Sequence, residues 1–149
     1  MEFITLNISE MIQRMDKLTE NTPPIWGSMS AQRMVEHLSD CLKISSGKVK
    51  LPLEVEEEKI EKMIQFLNSE KQIPKNFEAS FAKKETPLRH EEIELAIDEF
   101  LLEWIEFEEF YEENLEKTTI HPNYGPLNYN QWCRMHSKHF THHFEQFDI

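Results

Sequence analysis

NQWCRMHSKHFTHHFEQF, residues 130–147, decides how this chain reads. Trp132, His136, His139 and His143 recur in it at steps of four, three and four, and Phe140, Phe144 and Phe147 form the neighbouring apolar ridge. Helix faces repeat every 3.6 residues, so the spacing predicts an amphipathic helix that runs to Phe147. Asn128 or Asn130 can cap its start. Before it, IHPNYGPLNYNQW (120–132) carries Asn123, Gly125 and Pro126 and predicts a loop.

Working outward, Arg89 to Glu116 predicts the longest helix, with a broad apolar stripe from Ile93 through Phe100 and Trp104 to Tyr111. Ser28 or Ser30 can cap a helix running to about Ser45, with Met34, Leu38, Cys41 and Leu42 on its inner face and Gly47 as its stop. A short first helix is expected from Ser9, as cap, to Leu18, with Met11, Ile12, Met15 and Leu18 at helical steps. Pro23 and Pro24 exclude helix from the segment that follows it. Glu56 to Asn68 predicts an accessory helix facing Ile60, Met63, Ile64 and Leu67 inward. Lys71 to Pro87 reads as a long extended excursion, and long connections in compact domains often lie against functional surface. No internal repeat or low-complexity segment interrupts the pattern. The expected fold is all-α and a single domain over residues 1–149, with four main helices plus one accessory helix making a bundle.

Composition narrows the function classes. With 149 residues the chain can bury a core without staples. Its net charge of −12, with no local basic patch, argues against nucleic acid as a partner. The acidic runs EVEEEKIEK (54–62) and EWIEFEEFYEENLEK (103–117) read as solvated helix faces. Cys41 and Cys133 fall in separate predicted helices with no CxxC pattern, which reads as two free thiols in a reducing compartment. The N-terminal residues lack a basic stretch followed by a long apolar run, and no stretch has the length of a membrane span, so a cytoplasmic location is expected and no membrane partner.

The histidines carry the chemistry. His139 and His143 are one helical turn apart on one face, and two imidazoles at that spacing can grip one metal ion. Two neutral imidazoles beside an apolar ridge each need a partner for the bare nitrogen, and a divalent ion supplies it. A zinc-like ion needs a further ligand. His37, set among apolar residues in SAQRMVEHLSDCLKI (30–44), is the leading candidate, giving a three-histidine site between two helices. His136 could replace His143, since three-residue spacing also works. His142 points about a quarter turn away and reads as exposed or as a donor supporting a ligand. His121 reads first as a surface or helix-stacking residue that could approach from its loop, and His90 as a helix N-terminal residue without a role. Gln32, Glu36 and Asp40 could orient His37. Trp26 and Trp132 read as core anchors, and Cys41, one turn after His37, reads first as a small buried apolar residue that could lie near the site.

Two segments carry a resemblance. WGSMSAQRMVEHLSD (26–40) resembles the helix that opens the DinB-like superfamily pattern and ends in a histidine. HPNYGPLNYNQWCRMHSKHFTHHFEQF (121–147) resembles its last helix, where His-x-x-x-His is followed after two residues by Gln and an apolar residue. The pattern looks like one uncharacterised branch of that superfamily. The resemblance implies a four-helix bundle with a long crossover between its second and third main helices. It also implies zinc, nickel or iron held by His37, His139 and His143, and frequent homodimers. Relatives of that kind include thiol-dependent S-transferases and an isomerase that use bacillithiol, mycothiol or glutathione.

Three imidazoles leave a divalent ion an open position, the pattern of a catalytic centre. The first expectation is therefore a metal-dependent transferase acting with a small-molecule thiol, for which Arg33, Arg89 and Arg134 are candidate anion contacts. The alternatives are metal-water hydrolysis, which wants a carboxylate base near the ion, a non-catalytic metal- or small-ligand-binding bundle, or a helical interaction domain without metal.

Overall fold

The computed structural model of the chain describes residues 2–77, 79, 81–83 and 85–149. It is mainly helical, with five α-helices and one two-stranded sheet. Helix α1 spans Ile8–Met15. Its cap is Asn7, whose side chain accepts from the Glu10 amide at 3.0 Å, rather than the expected Ser9. Asn holds this position two residues earlier because its carbonyl reaches the first-turn N–H groups from an extended backbone. Met11 and Met15 turn into the core.

Helix α2, Ala31–Ser45, starts at the expected Ser30 cap, which accepts from the Arg33 amide at 3.1 Å. Its chain turns away at Gly47, whose φ of +76° suits a residue without a side chain. One apolar face was expected of it, yet 13 of its 15 residues are buried. The helix is surrounded, so its polar residues must find partners inside the protein.

After α2 the chain makes a 3-10 turn at Glu57–Lys59 and enters α3, Ile60–Asn68, close to the expected accessory helix. The excursion expected over 71–87 includes Glu78, Ser80 and Lys84, which lie outside the described residues. Among the described residues it has no helix or strand. It is tied down by side chains from elsewhere. The buried Lys138 donates to the carbonyls of Phe66, Ser69 and Lys71 at 2.8, 3.0 and 2.6 Å. Arg134 donates to the carbonyls of Leu67 and Ser69, and Arg33 to that of Lys83.

Helix α4 spans Ile93–Glu112, shorter at both ends than the expected 89–116. The late start has a tertiary cause. The fully buried Glu36 carboxylate accepts from the Arg89 amide at 2.8 Å and from the His90 amide at 3.5 Å, which holds those residues out of the helix. Gln32 adds a 2.7 Å bond to the His90 carbonyl. Helix α2 packs along α4, α1 also lies on α4, α3 lies on α5, and α2 touches α5. Phe100, Phe107 and Tyr111 of α4 meet Met34, Leu38 and Leu42 of α2 and the aromatic ridge of α5 in one core. Among the described residues, no helix is long and apolar enough to cross a membrane.

The segment expected to be a loop contains a hairpin, which corrects the purely helical expectation. Strand β1, Thr119–His121, pairs antiparallel with β2, Gly125–Leu127, with His121 opposite Gly125. Strands of three residues are too short to show alternation. Thr119 and Tyr111 both donate to the last α2 carbonyl, Ser45, at 2.9 and 2.8 Å, which fixes the hairpin to the end of α2. Gly125 has φ +80°, and a Cβ there would meet Ile60 at 3.1 Å. Helix α5, Tyr129–Gln146, follows directly. Asn128 and Gln131 cap it reciprocally, the Asn128 side chain taking the Gln131 amide and the Gln131 side chain the Asn128 amide.

Candidate metal centre

The surrounded helix α2 aims His37 at α5, where the i,i+4 pair His139 and His143 waits. The Nε2 atom of His139 lies 2.9 Å from Nε2 of His37 and 3.1 Å from Nε2 of His143. The three rings meet edge to face, with centroids 4.7–5.0 Å apart. Nitrogens held about 2.0–2.1 Å from one ion at angles between roughly 90° and 110° stand about 2.8–3.4 Å apart, so both separations suit a shared cation.

The proton inventory leads to the same place. Gln146 donates through its Nε2 to the Trp26 carbonyl at 3.1 Å, so its Oε1 must be an acceptor. That oxygen lies 2.8 Å from His143 Nδ1, which therefore carries the ring proton and leaves His143 Nε2 bare. His139 Nε2 has a single in-plane site, holding either one proton or one lone pair, and faces two nitrogens at once. A proton there satisfies one of the two contacts, and a lone pair there meets the bare Nε2 of His143. A cation would satisfy His139 Nε2 together with a neighbouring bare nitrogen. Gly27 makes room for the buttress: its φ is +74°, and a Cβ would stand 3.3 Å from the Gln146 amide nitrogen.

Burial keeps these rings neutral. It is the first cause that drives His37 and His139 well below the ordinary imidazole value, with neighbouring His143 adding to both. Burial, with His142 beside it, pushes His143 down to about 3. Neutral imidazole is the metal-binding form.

Cys41 sits one turn after His37 and was expected first as a small buried residue, with a place near the site as the alternative. It is buried, and its sulfur and the ring nitrogens of His37 and His139 all lie within 4.8 Å of one another. This buried His37–Cys41–His139 group could hold a metal ion. Burial raises the Cys41 thiol to about 12, with Asp40 adding to the rise. Neither cysteine forms a disulfide.

The remaining candidates separate cleanly. His136 does not join the cluster. It is stacked between Trp132 and Phe140 and bonds Ser45 Oγ at 2.9 Å. The Ser45 hydroxyl already donates to the Leu42 carbonyl, so it accepts from His136 Nε2–H. His121 is buried on β1, and its Nδ1 accepts from the Asn123 amide at 3.0 Å, which puts its proton on Nε2. Burial pushes both rings down to about 3. His142 packs on Trp26 and His143 and bonds the Ile73 backbone. His90 precedes α4, with Nε2 3.3 Å from Glu99. Gln32, Glu36 and Asp40 do not orient His37. Gln32 and Glu36 pin the start of α4, while Asp40 pairs with Arg33 and Arg89. Trp132 is fully buried in the core as expected, whereas Trp26 is only partly buried.

The cluster forms one wall of a cavity of about 530 Å³. Helix α3 contributes Met63 and Phe66, the excursion contributes Ile73–Phe77, Ala79, Phe81 and Ala82, and the hairpin contributes His121 and Tyr124. Arg33, Arg89 and Arg134 do not line it. They are engaged with Asp40, with Glu36, Asp40 and Glu99, and with Glu70 and backbone carbonyls respectively. Lys75, which among the described residues is the one lysine or arginine that lines it, carried no signal in sequence. Gln146 was part of the pattern that carries the resemblance, but its bond to His143 was not read from the sequence.

No family model matches the chain, no curated protein matches it, and no solved structure matches it.

Proposed function

We propose that this chain is a DinB-like four-helix-bundle protein that holds a divalent transition metal, zinc, nickel or iron, on His37, His139 and His143. It would use that metal in a transferase reaction with a low-molecular-weight thiol, as a homodimer. In this reading α1, α2, α4 and α5 are the bundle, and the stretch from α2 to α4, with α3 inside it, is the long crossover. The observation that carries the proposal is the meeting of three imidazole Nε2 atoms at the wall of a cavity, with the His143 proton pinned away by Gln146.

A bound divalent cation would supply Lewis acidity, favouring the thiolate form of a thiol at its open position. The chain's own residues supply the rest. Gln146 sets the tautomer and orientation of His143. The α2–α4 packing and the Ser30 cap fix His37 opposite the α5 pair. The apolar cavity walls exclude water, which strengthens any electrostatic interaction made inside. Metal-water hydrolysis is disfavoured because, among the described residues, no carboxylate lines the cavity to act as base. A closed, non-catalytic centre is favoured by one observation, the proximity of Cys41, whose thiolate could fill the open position.

The deciding experiment is elemental analysis of tag-free protein beside the His139→Ala/His143→Ala variant. About one transition metal per chain, lost in the variant, is expected. Metal-free protein that gains no stability from added zinc or nickel would overturn the metal centre. Titration of the metal-loaded protein with cysteine, glutathione and bacillithiol then tests the thiol, and failure to bind any of them removes the transferase reading. Cobalt substitution separates the closed centre: a sulfur-to-cobalt charge-transfer band that vanishes in Cys41→Ser places the Cys41 sulfur on the metal.

A further inference from the structure

The chain carries 28 acidic residues against 16 basic ones, yet among the described residues not one carboxylate lines the cavity. Its walls are mostly apolar side chains, such as Met63, Phe66, Phe81, Ala82 and Met135. The polar groups among them lean towards donors. Trp26 has a buried Nε1–H without a partner among the described residues. His121 keeps its proton on Nε2, because Nδ1 accepts from Asn123. Lys75 is solvent-exposed and still lines the cavity, so its ammonium stands where the cavity meets water, 4.7 Å over the Trp26 ring. The arginines that could clamp a second anionic group are all engaged elsewhere.

A volume of about 530 Å³ falls within the range of small-molecule sites. Apolar walls favour a hydrophobic body, and burying a charge demands partners of the opposite kind. Among the described lining residues, donors and one ammonium without a carboxylate fit an acceptor and disfavour a cation, and that one ammonium fits one negative charge and not two.

We infer that this cavity takes a hydrophobic monocarboxylic acid, its apolar body among the aromatic and methionine side chains and its carboxylate towards Lys75. This deepens the proposed function, resting on the cavity as the substrate side of that site, but it draws on the walls and not on the metal.

The test is calorimetric titration of the full-length chain, zinc-loaded and metal-stripped, with 4-phenylbutyrate and with two molecules of matching shape, 4-phenylbutanol and 4-phenylbutylamine. The acid should bind once per chain, about tenfold more tightly than the alcohol, with the amine weakest. Lys75→Met should weaken the acid about threefold to fivefold, as suits an exposed ion pair, and leave the alcohol within twofold. Met63→Trp, checked for native circular dichroism, should fill the cavity and abolish binding of both. Acid that binds no better than alcohol or amine overturns the inference, as does undiminished binding to a folded Met63→Trp. The selective pattern in stripped protein that takes up no zinc supports the inference while removing the metal centre. Zinc uptake without selective binding overturns the inference and leaves the centre standing.

Discussion

Acidification should unfold the metal-free protein through its buried histidines, well before any carboxylate matters. His121, His136 and His143 are held at about 3 by burial, against an ordinary value near 6.5. The unfolded chain therefore binds protons below pH 6.5 that the native chain refuses, and stability falls as pH drops from 6.5 towards 3. At pH 5, about 1.5 units below the unfolded value, each of the three costs about 2 kcal/mol, about 6 kcal/mol together. His37 and His139 push in the same direction. Domains of this size have about 5–15 kcal/mol in all, so the midpoint of acid unfolding should lie near pH 5. Glu99 does not confuse the window. Burial opposes its ionisation, but hydrogen bonds from Arg89 and Lys43 still hold its carboxyl at about 2. Its contribution is present above the ordinary carboxylate range and is lost only on falling below it. The assay is urea unfolding followed by far-ultraviolet circular dichroism at pH 7.5, 6.5, 5.5 and 5.0 in chelator. His136→Phe isolates one group outside the cluster. It should lose about 1 kcal/mol at pH 7.5, with the Ser45 hydrogen bond, and recover about 2 kcal/mol of the acid sensitivity. Stability that stays within about 1 kcal/mol between pH 7.5 and 5 would refute the claim that these imidazoles are buried and neutral.

Gln146→Leu removes the acceptor that fixes His143. It should weaken zinc binding about 10- to 100-fold in competition with a chromophoric chelator, and unchanged affinity would remove Gln146 from the site. Lys138→Met removes the ammonium shared by the carbonyls of Phe66, Ser69 and Lys71, of which Ser69 keeps Arg134 and Phe66 keeps the Ser69 amide and hydroxyl as donors. Its expected cost is about 2–4 kcal/mol in urea unfolding, and a loss below about 1 kcal/mol would show that water replaces the ammonium freely. Glu36→Gln turns one accepting oxygen into a donor that faces either the Arg89 or the His90 amide. It should cost about 2 kcal/mol, and hydrogen exchange at residues 89–92 should quicken; unaltered exchange there would contradict the pinning of α4.

Local signals in the sequence translated well, and tertiary ones did not. The caps at Ser30 and Asn128 were legible because a cap is a contact between residues three apart. The histidine cluster was legible in part for the same reason, since His139 and His143 are one turn apart whatever surrounds them. The third position was a choice between isolated histidines, and only packing brings His37 Nε2 to 2.9 Å from His139. The start of α4 was misplaced because Arg89 and His90 owe their conformation to Glu36, 53 residues upstream of Arg89. The hairpin was missed because three-residue strands carry no period. The three arginines looked available for an anion because nothing in a sequence says which carboxylate a cation will meet.

These misses share a physical origin in α2. A helix buried over 13 of its 15 residues cannot keep a polar side towards water, so most polar side chains on it are committed to a partner, the Ser39 hydroxyl being an exception among the described residues. Gln32, Glu36 and Asp40 are committed to the start of α4 and to Arg89, and that commitment draws Arg89 away from the cavity. His37 and Cys41 are committed on the other side, to the α5 histidines and the cavity. One helix thus gathers carboxylates and guanidinium groups on one side and leaves neutral metal-binding side chains on the other. That division lets a chain of net charge −12 present a cavity free of carboxylates among its described residues. Moving a negative charge across it should be more damaging than moving one anywhere on the solvated face of α4. Cys41→Asp puts that charge beside His37 and the cavity. It should abolish 4-phenylbutyrate binding while leaving the helical circular dichroism in place at neutral pH, and an acid-binding Cys41→Asp protein would show that the partition on α2 does not govern the site.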